Sequence, residues 1–283
     1  MLAWRIKQIM SVINPKINND NGTDNGTDNY DDHHDGGLSV TNRHNKVQLN
    51  EMFVSIEGEG ILAGTKTLFI RFSGCHLKCH WCDTKYSLSP TSGKSYTIDE
   101  AKYLILQHLQ PNLYKVNFTG GEPLLQTQSL IALADFVKNE LKIKTYLESS
   151  CFDWKRFELV LPYFDICKVE FKTSDSKVIE SKSYESLLQN ELRCLDIALN
   201  RTDKISFIKI VFTNSTTLNE VRDLLSRVFE CPNISNLSGI TLQPSYQFDS
   251  PSTTQILKIY DEVCSFYKDV RVIPQMHKLL GMS

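Results

Sequence analysis

Phe69-Ile70-Arg71-Phe72-Ser73-Gly74-Cys75-His76-Leu77-Lys78-Cys79-His80-Trp81-Cys82-Asp83-Thr84 is an apolar, strand-like run that opens into a loop of three cysteines. The spacing is Cys-X3-Cys-X2-Cys, with an aromatic just before the third cysteine. Three thiolates fill three corners of a [4Fe–4S] cluster and leave one iron without a protein ligand. An open iron binds a small molecule, so the spacing points to chemistry at the cluster rather than electron storage. Structural zinc is the competing use of the triplet. Such sites take four Cys or His ligands, and His76 or His80 would supply the fourth. A disulfide fits less well: one of three closely spaced cysteines is left odd, and no secretion signal accompanies them. The other cysteines, Cys151, Cys167, Cys194, Cys231 and Cys264, are scattered and read as small buried apolar residues.

Working outward from the loop, strands and helices alternate. The pattern predicts strands over 67–73, 115–118, 144–147, 166–171, 206–212, 239–242 and 270–273. Helices are predicted over 98–109, 129–141, 184–199, 218–229 and 253–266. The run over 206–212 is continuously apolar and β-branched, as in a strand buried on both faces. Such alternation implies a parallel sheet with right-handed crossovers. About six β/α units are too few for a closed (β/α)8 barrel, so the expected fold is a partial, open (β/α)6-type parallel barrel. Active sites of parallel barrels gather at the carboxyl ends of the strands. The polar signals fall there: the cysteine loop, Thr119-Gly120-Gly121-Glu122-Pro123, Glu148-Ser149, Lys172 and Gln243.

The 283 residues carry a formal charge of −2, and 41% are hydrophobic, ample for a sizeable core. The charge balance argues against direct nucleic-acid binding, which calls for a basic excess. No apolar run approaches the roughly 20 residues that span a bilayer. Met1 to Pro15 lacks the continuous apolar core and cleavage site of a secretory signal, so a reducing, cytoplasmic setting is expected. Residues 17–42 contain no Lys or Arg and include the near-repeat Asn21-Gly22-Thr23-Asp24-Asn25-Gly26-Thr27-Asp28. A stretch this polar cannot bury enough apolar surface to offset its chain entropy. The expected organisation is a disordered tail over 1–44 and a catalytic domain over 45–283.

The cysteine triplet followed by Gly120-Gly121-Glu122-Pro123 resembles the radical S-adenosylmethionine (SAM) superfamily. The resemblance implies that SAM binds the open iron and is cleaved by one electron to methionine and a 5′-deoxyadenosyl radical. The protein's part is then binding, aim and exclusion of water. Trp81, Gly120, Gly121, Glu122, Glu148, Ser149, Lys172 and Gln243 are the implied SAM contacts. Gly120 and Gly121 would let the backbone approach the methionine closely, and Glu122 would accept from its ammonium.

Two further stretches narrow the resemblance. Asn50-Glu51-Met52-Phe53-Val54-Ser55-Ile56-Glu57-Gly58-Glu59-Gly60 precedes the loop, and Arg271-Val272-Ile273-Pro274-Gln275-Met276-His277-Lys278-Leu279-Leu280-Gly281 lies near the other end. With Asp83-Thr84, they are similar to the 7-carboxy-7-deazaguanine synthase family over roughly residues 46–283. That family turns 6-carboxy-5,6,7,8-tetrahydropterin into 7-carboxy-7-deazaguanine with loss of ammonia, feeding 7-deazapurine synthesis for modified tRNA bases such as queuosine or archaeosine. The resemblance implies Mg²⁺ at Thr84, an ion that favours hard oxygen ligands. It implies substrate contacts at Glu57, Glu59, Arg71, Thr119, His277 and Ser283. It also implies an electron donor such as flavodoxin or ferredoxin, and a homodimer. The sequence departs from the family pattern at Glu57, commonly Gln, and at Glu148-Ser149-Ser150-Cys151, more usually Glu-Thr-Asn-Gly. A glycyl-radical enzyme activase shares the cysteine spacing and is the second enzyme reading. A non-catalytic zinc-binding module is the reading from another class.

Overall fold

A computed structural model describes residues 46–174, 181–246 and 248–282. The tail expected over 1–44 and the substrate contact expected at Ser283 lie outside the described residues. Nine strands form one open sheet: β1 Lys46–Ile56, β2 Lys66–Phe72, β3 Lys94–Thr97, β4 Lys115–Gly120, β5 Lys144–Ser149, β6 Ile166–Phe171, β7 Ile205–Phe212, β8 Ile240–Pro244 and β9 Val270–Val272. Their spatial order is β3-β1-β2-β4-β5-β6-β7-β8-β9. From β2 to β9 all neighbours run parallel. The crossovers carry α1 Ile98–His108, α2 Thr127–Asp135, α3 Trp154–Val160, α4 Ser181–Leu199, α5 Leu218–Val228 and α6 Thr253–Phe266. The sheet does not close, since β3 and β9 are its two free edges. This is the open partial barrel expected, with each of the seven parallel strands within two residues of its predicted bounds.

Side-chain alternation divides the sheet into two surfaces. The outer one is apolar: Val116 and Phe118, Leu147, Cys167, Val169 and Phe171, Ile208, Ile210 and Phe212, and Ile240 and Leu242 join one core with helix residues such as Leu133, Leu195, Leu225 and Val263. The inner surface closes at its amino-terminal end with a small plug of Tyr146, Ile166 and Phe207, packed by Ile61 and Leu62. Above the plug the inner surface is polar, and the strand ends around it frame the candidate site.

Four elements were not read from the sequence: β1, β3, α3 and a one-turn helix over Met276–Leu279. β1 and β3 pair antiparallel at the β2 edge. β1 is mostly half-buried and β3 is short and polar, so neither shows a sustained apolar period. α3 is a single short stretch begun by Asp153, whose side chain accepts from Lys155 N and Arg156 N. The helix predicted over 129–141 also changes character. It is α-helical to Asp135 and then widens into a π-turn over Phe136–Glu140.

Candidate active site

The cysteine loop leaves β2 at Phe72 and is fixed at its base. Gly74 N donates to Ser87 O at 2.8 Å and Cys75 N to Leu88 O at 3.0 Å, while Glu122 N donates to Gly74 O at 2.7 Å. Leu77 is buried beneath the loop. Gly120, at φ +147°, and Gly121 sit against this base. A Cβ at Gly121 would stand 2.2 Å from Gly74 O, and one at Gly120 would stand 2.4 Å from Phe72 O. Here the two glycines serve a close crossing of the chain with itself, where the sequence suggested close approach to a ligand.

All three loop cysteines line a cavity at the carboxyl ends of the parallel strands. Burial pushes the Cys75 thiol up to about 12 and raises Cys79 as well. Thiols held in this way ionise only with a compensating metal charge, which suits cluster ligands. The fourth ligand that zinc would need from this loop is turned elsewhere. His76 packs at a tilt of 40° against Phe152, with ring centroids 3.9 Å apart, and His80 packs edge-on against Phe248 at 5.4 Å.

The cavity wall alternates buried lysines and carboxylates. On β6, Lys168 and Glu170 face inward and pair at 2.7 Å; Lys172, just beyond the strand end, closes on the same carboxylate. Lys209 of β7 pairs with Glu59 and lies 3.6 Å from Glu170. Burial opposes the charge of Glu170, but Lys168, Lys172 and Lys209 outweigh it and hold the carboxyl well below its usual range. Glu59 is also held ionised, at about 2: burial works against it, and Lys209 and Lys168 prevail. Gln243 Nε2 and Gln275 Nε2 donate to Glu59 Oε1 at 3.2 and 3.0 Å. Glu148 accepts from Tyr146 Oη at 3.0 Å and stands 3.7 Å from Lys168.

Glu57 lies deeper, 2% exposed. It accepts from Lys115 Nζ at 2.9 Å and Asn117 Nδ2 at 3.2 Å through one oxygen, and from Glu59 N at 3.3 Å through the other. Burial pushes it up to about 7 in spite of Lys115. Lys115 is fully buried and donates also to Thr65 Oγ1 and Thr67 Oγ1.

The segment after β9 closes one side. Met276 N donates to Gly58 O at 3.1 Å. A Cβ at Gly58 would stand 2.5 Å from His277 Nδ1, so the glycine admits that ring. Gln275 Nε2 bridges Glu59 and Asp83, at 3.0 and 2.9 Å. Asp83, Glu59 and His277 bring one ligand atom each to within 4.8 Å of one another. Thr84 Oγ1 is 3.8 Å from Cys82 Sγ, beside this group.

The structure therefore brings most of the predicted residues to one cavity: Cys75, Cys79, Trp81, Cys82, Thr84, Glu57, Glu59, Arg71, Thr119, Gly120, Gly121, Glu148, Ser149, Lys172, Gln243 and His277. Arg71 is held by Glu51 at 2.6 Å, and Glu51 also accepts from Tyr86 Oη. Glu122 stands apart. Its carboxylate is fully buried behind the wall and accepts from Leu124 N, Ser149 Oγ, Ser150 N and Ser150 Oγ. At Cys151, where the family pattern has glycine, φ is +57°, the left-handed region glycine favours. Lys168, Glu170, Lys209, Lys115, Asn117, Asp83 and Gln275 were given no role from the sequence. The signal for several was present: Lys168, Glu170 and Lys172 alternate with Val169 and Phe171, a period of two with charges on one side.

Residues 56–192 match the family described as a 4Fe-4S single cluster domain. The chain is 30% identical over 243 residues to the 7-carboxy-7-deazaguanine synthase of Methanothermobacter thermautotrophicus, covering 82% of this chain and 96% of that protein. It is 32% identical over 251 residues to the 7-carboxy-7-deazaguanine synthase of Archaeoglobus fulgidus, covering 84% and 99%. Among solved structures it is similar to QueE from Escherichia coli, with a TM-score of 0.53, 18% identity and coverage of 81% and 94%. It is also similar to a radical SAM methyltransferase from Sphaerobacter thermophilus, with a TM-score of 0.57, 11% identity and coverage of 80% and 77%. At these identities the structural likeness concerns the fold.

Proposed function

Because the chain belongs to the 7-carboxy-7-deazaguanine synthase family, we propose that it converts 6-carboxy-5,6,7,8-tetrahydropterin to 7-carboxy-7-deazaguanine. It is a radical SAM lyase that uses a [4Fe–4S] cluster and SAM. When bound, the cluster held by Cys75, Cys79 and Cys82 and SAM would supply a 5′-deoxyadenosyl radical able to take a hydrogen atom from C6 of the substrate. Contraction of the ring with loss of ammonia leaves the pterin's oxidation level unchanged, so one hydrogen atom would be returned for the one taken. The observation that carries the reading is one cavity in which a three-cysteine loop faces carboxylates kept ionised by buried lysines.

The residues divide by side of the cavity. Cys75, Cys79 and Cys82 hold the cluster. Trp81, Gly120, Gly121, Glu148, Ser149 and Lys172 line the part beside it and hold SAM, and Lys172 offers a cation to its carboxylate. Glu122 contributes from behind, bracing the Ser149-Ser150 turn. Glu59, Thr119, Arg71 and His277 surround the substrate, with Ser283 expected to join them. A carboxylate held ionised as Glu59 is accepts hydrogen bonds from an aminopyrimidine edge, and Arg71 offers a forked donor to an oxygen-rich group. Glu57 has both oxygens engaged by protein donors, and we assign it to positioning Glu59. Mg²⁺ would be held by Thr84, with the Asp83 carboxylate its neighbour in sequence; hydroxyl and carboxylate oxygens are donors this ion accepts.

A one-electron donor such as flavodoxin or ferredoxin supplies the electron, and the working form is a cytoplasmic homodimer. No helix among the described residues is long and apolar enough to cross a membrane. The catalytic unit is residues 45–283. The test is anaerobic: reconstituted protein given SAM, Mg²⁺, a chemical reductant and the pterin is expected to lose the pterin and release ammonia one for one, and to do neither when SAM is left out. Pterin left intact while 5′-deoxyadenosine accumulates would contradict the substrate and favour a protein-directed activase.

A further inference from the structure

We infer that Tyr184 and Glu191 of α4 are positioning residues for the cofactor: they grip the main chain of Lys172 on both sides and so fix where its ammonium meets the carboxylate of SAM. The inference rests on the SAM reading of Lys172 above and names what holds that residue in place. Lys172 follows directly on β6, whose last paired residue is Phe171, opposite Ile210. Its N–H donates to Glu191 Oε1 at 3.3 Å, and its C=O accepts from Tyr184 Oη at 2.7 Å. Both partners come from one helix, seven residues apart, which is two turns and a single face. The residues that follow are tied as well. Thr173 Oγ1 donates to Val211 O at 3.3 Å on β7, and Ser174 N donates to Glu220 on α5.

Glu191 is the odd residue on its face of α4. Leu188, Cys194 and Leu195 beside it belong to the core, so the helical period calls for an apolar side chain at this position. Its carboxyl is buried, and Oε2 has no hydrogen-bond partner among the described residues. Such a group is costly to bury, and packing does not account for it; the bond it makes to Lys172 does. Burial raises Glu191 well above the usual carboxylate range, although Lys172 opposes the rise, so the neutral form is favoured. A neutral carboxyl holds the Lys172 N–H without drawing its ammonium away from the cavity. That ammonium closes on Glu170 at the cavity wall instead. A flexible lysine rooted in a clamped peptide has lost in advance part of the freedom that binding an anion would cost, and this preorganisation shows as affinity.

The test is SAM binding by anaerobic titration calorimetry on reconstituted, unreduced enzyme with iron content matched between variants. Tyr184→Phe and Glu191→Leu are each expected to weaken SAM about fivefold, the size of one hydrogen bond's net contribution. Glu191→Gln keeps an acceptor for the Lys172 N–H and should stay within about twofold of wild type. In a Lys172→Met background neither Tyr184→Phe nor Glu191→Leu should weaken binding further, because groups that act through one side chain do not add. Equal weakening in both backgrounds would mark a merely structural part and overturn the inference. Unchanged affinity in Tyr184→Phe, which removes a hydroxyl and keeps the ring, would overturn it as well. Wild-type affinity in Lys172→Met alone would instead overturn the SAM reading of Lys172.

Discussion

Buried lysine and glutamate in strands are the unusual residues of this chain, and each of them faces inward. At Lys115 the pairing with Glu57 is enclosed on all sides, with side-chain exposures of 0% and 3%. Removing one partner of such a pair strands the other charge. Lys115→Met is expected to lose roughly 3 kcal/mol of stability at pH 7 by urea unfolding, and adding Glu57→Gln should restore most of it. The pH dependence has a definite sign. Burial raises Glu57 to about 7 from an ordinary 4.5, so folding takes up a proton between those values. Its contribution is present below about pH 4.5 and is lost as pH rises through 7, so the defect of Lys115→Met should shrink when unfolding is measured at pH 5. A defect that grows toward pH 5 would contradict the pairing. Cys75→Ala, Cys79→Ala and Cys82→Ala are each expected to abolish SAM cleavage, and 5′-deoxyadenosine formed by any of them would refute that ligand. The cysteines were legible because their spacing states a ligand set. Lys168, Glu170 and Lys209 were not: charge in a strand ordinarily marks the solvent face, and only the curving of the open sheet around a polar cavity turns that face inward.

Among elements, the crossing of the β4 end over the base of the cysteine loop leaves little room. A methyl group on Gly121 cannot be housed 2.2 Å from Gly74 O, and backbone on both sides resists the shift. Gly121→Ala is therefore expected to fold but to push the loop outward, lowering iron and sulfide per chain after reconstitution to less than half of wild type. Full loading would show that the crossing does not set the loop. Elsewhere the elements follow local rules. α1 begins with a reciprocal cap, Thr97 N to Glu100 Oε2 at 2.7 Å and Glu100 N to Thr97 Oγ1 at 3.2 Å. Thr97→Ala should cost about 1 kcal/mol in urea unfolding. The parallel strands were legible because burial of their outer face and spacing by helices leave a strong pattern. The antiparallel β1–β3 pair was not, since an edge strand half open to solvent has no fixed period. The segment after β9 is held by single polar contacts, Gln275 to Glu59 and Asp83, which no periodicity reveals.

For the whole molecule, the open sheet gathers residues from opposite ends of the sequence around one cavity, from Glu57 to His277. The fold class and the place of the site could be read before any contact was known, because a parallel barrel delivers its strand ends to one face. The ion-pair lattice that shapes the wall could not, because it depends on which strands become neighbours. The family resemblance begins at about residue 46 and leaves out the low-complexity stretch, so deletion of residues 1–42 should leave turnover nearly intact; a large loss would make the tail part of the working enzyme. The central claim is the reaction. Anaerobically reconstituted protein would be given SAM, Mg²⁺, a reductant and 6-carboxy-5,6,7,8-tetrahydropterin, and its products read by mass spectrometry. The account predicts 7-carboxy-7-deazaguanine together with 5′-deoxyadenosine, whereas 5′-deoxyadenosine with no deazapurine from an intact cluster would contradict it.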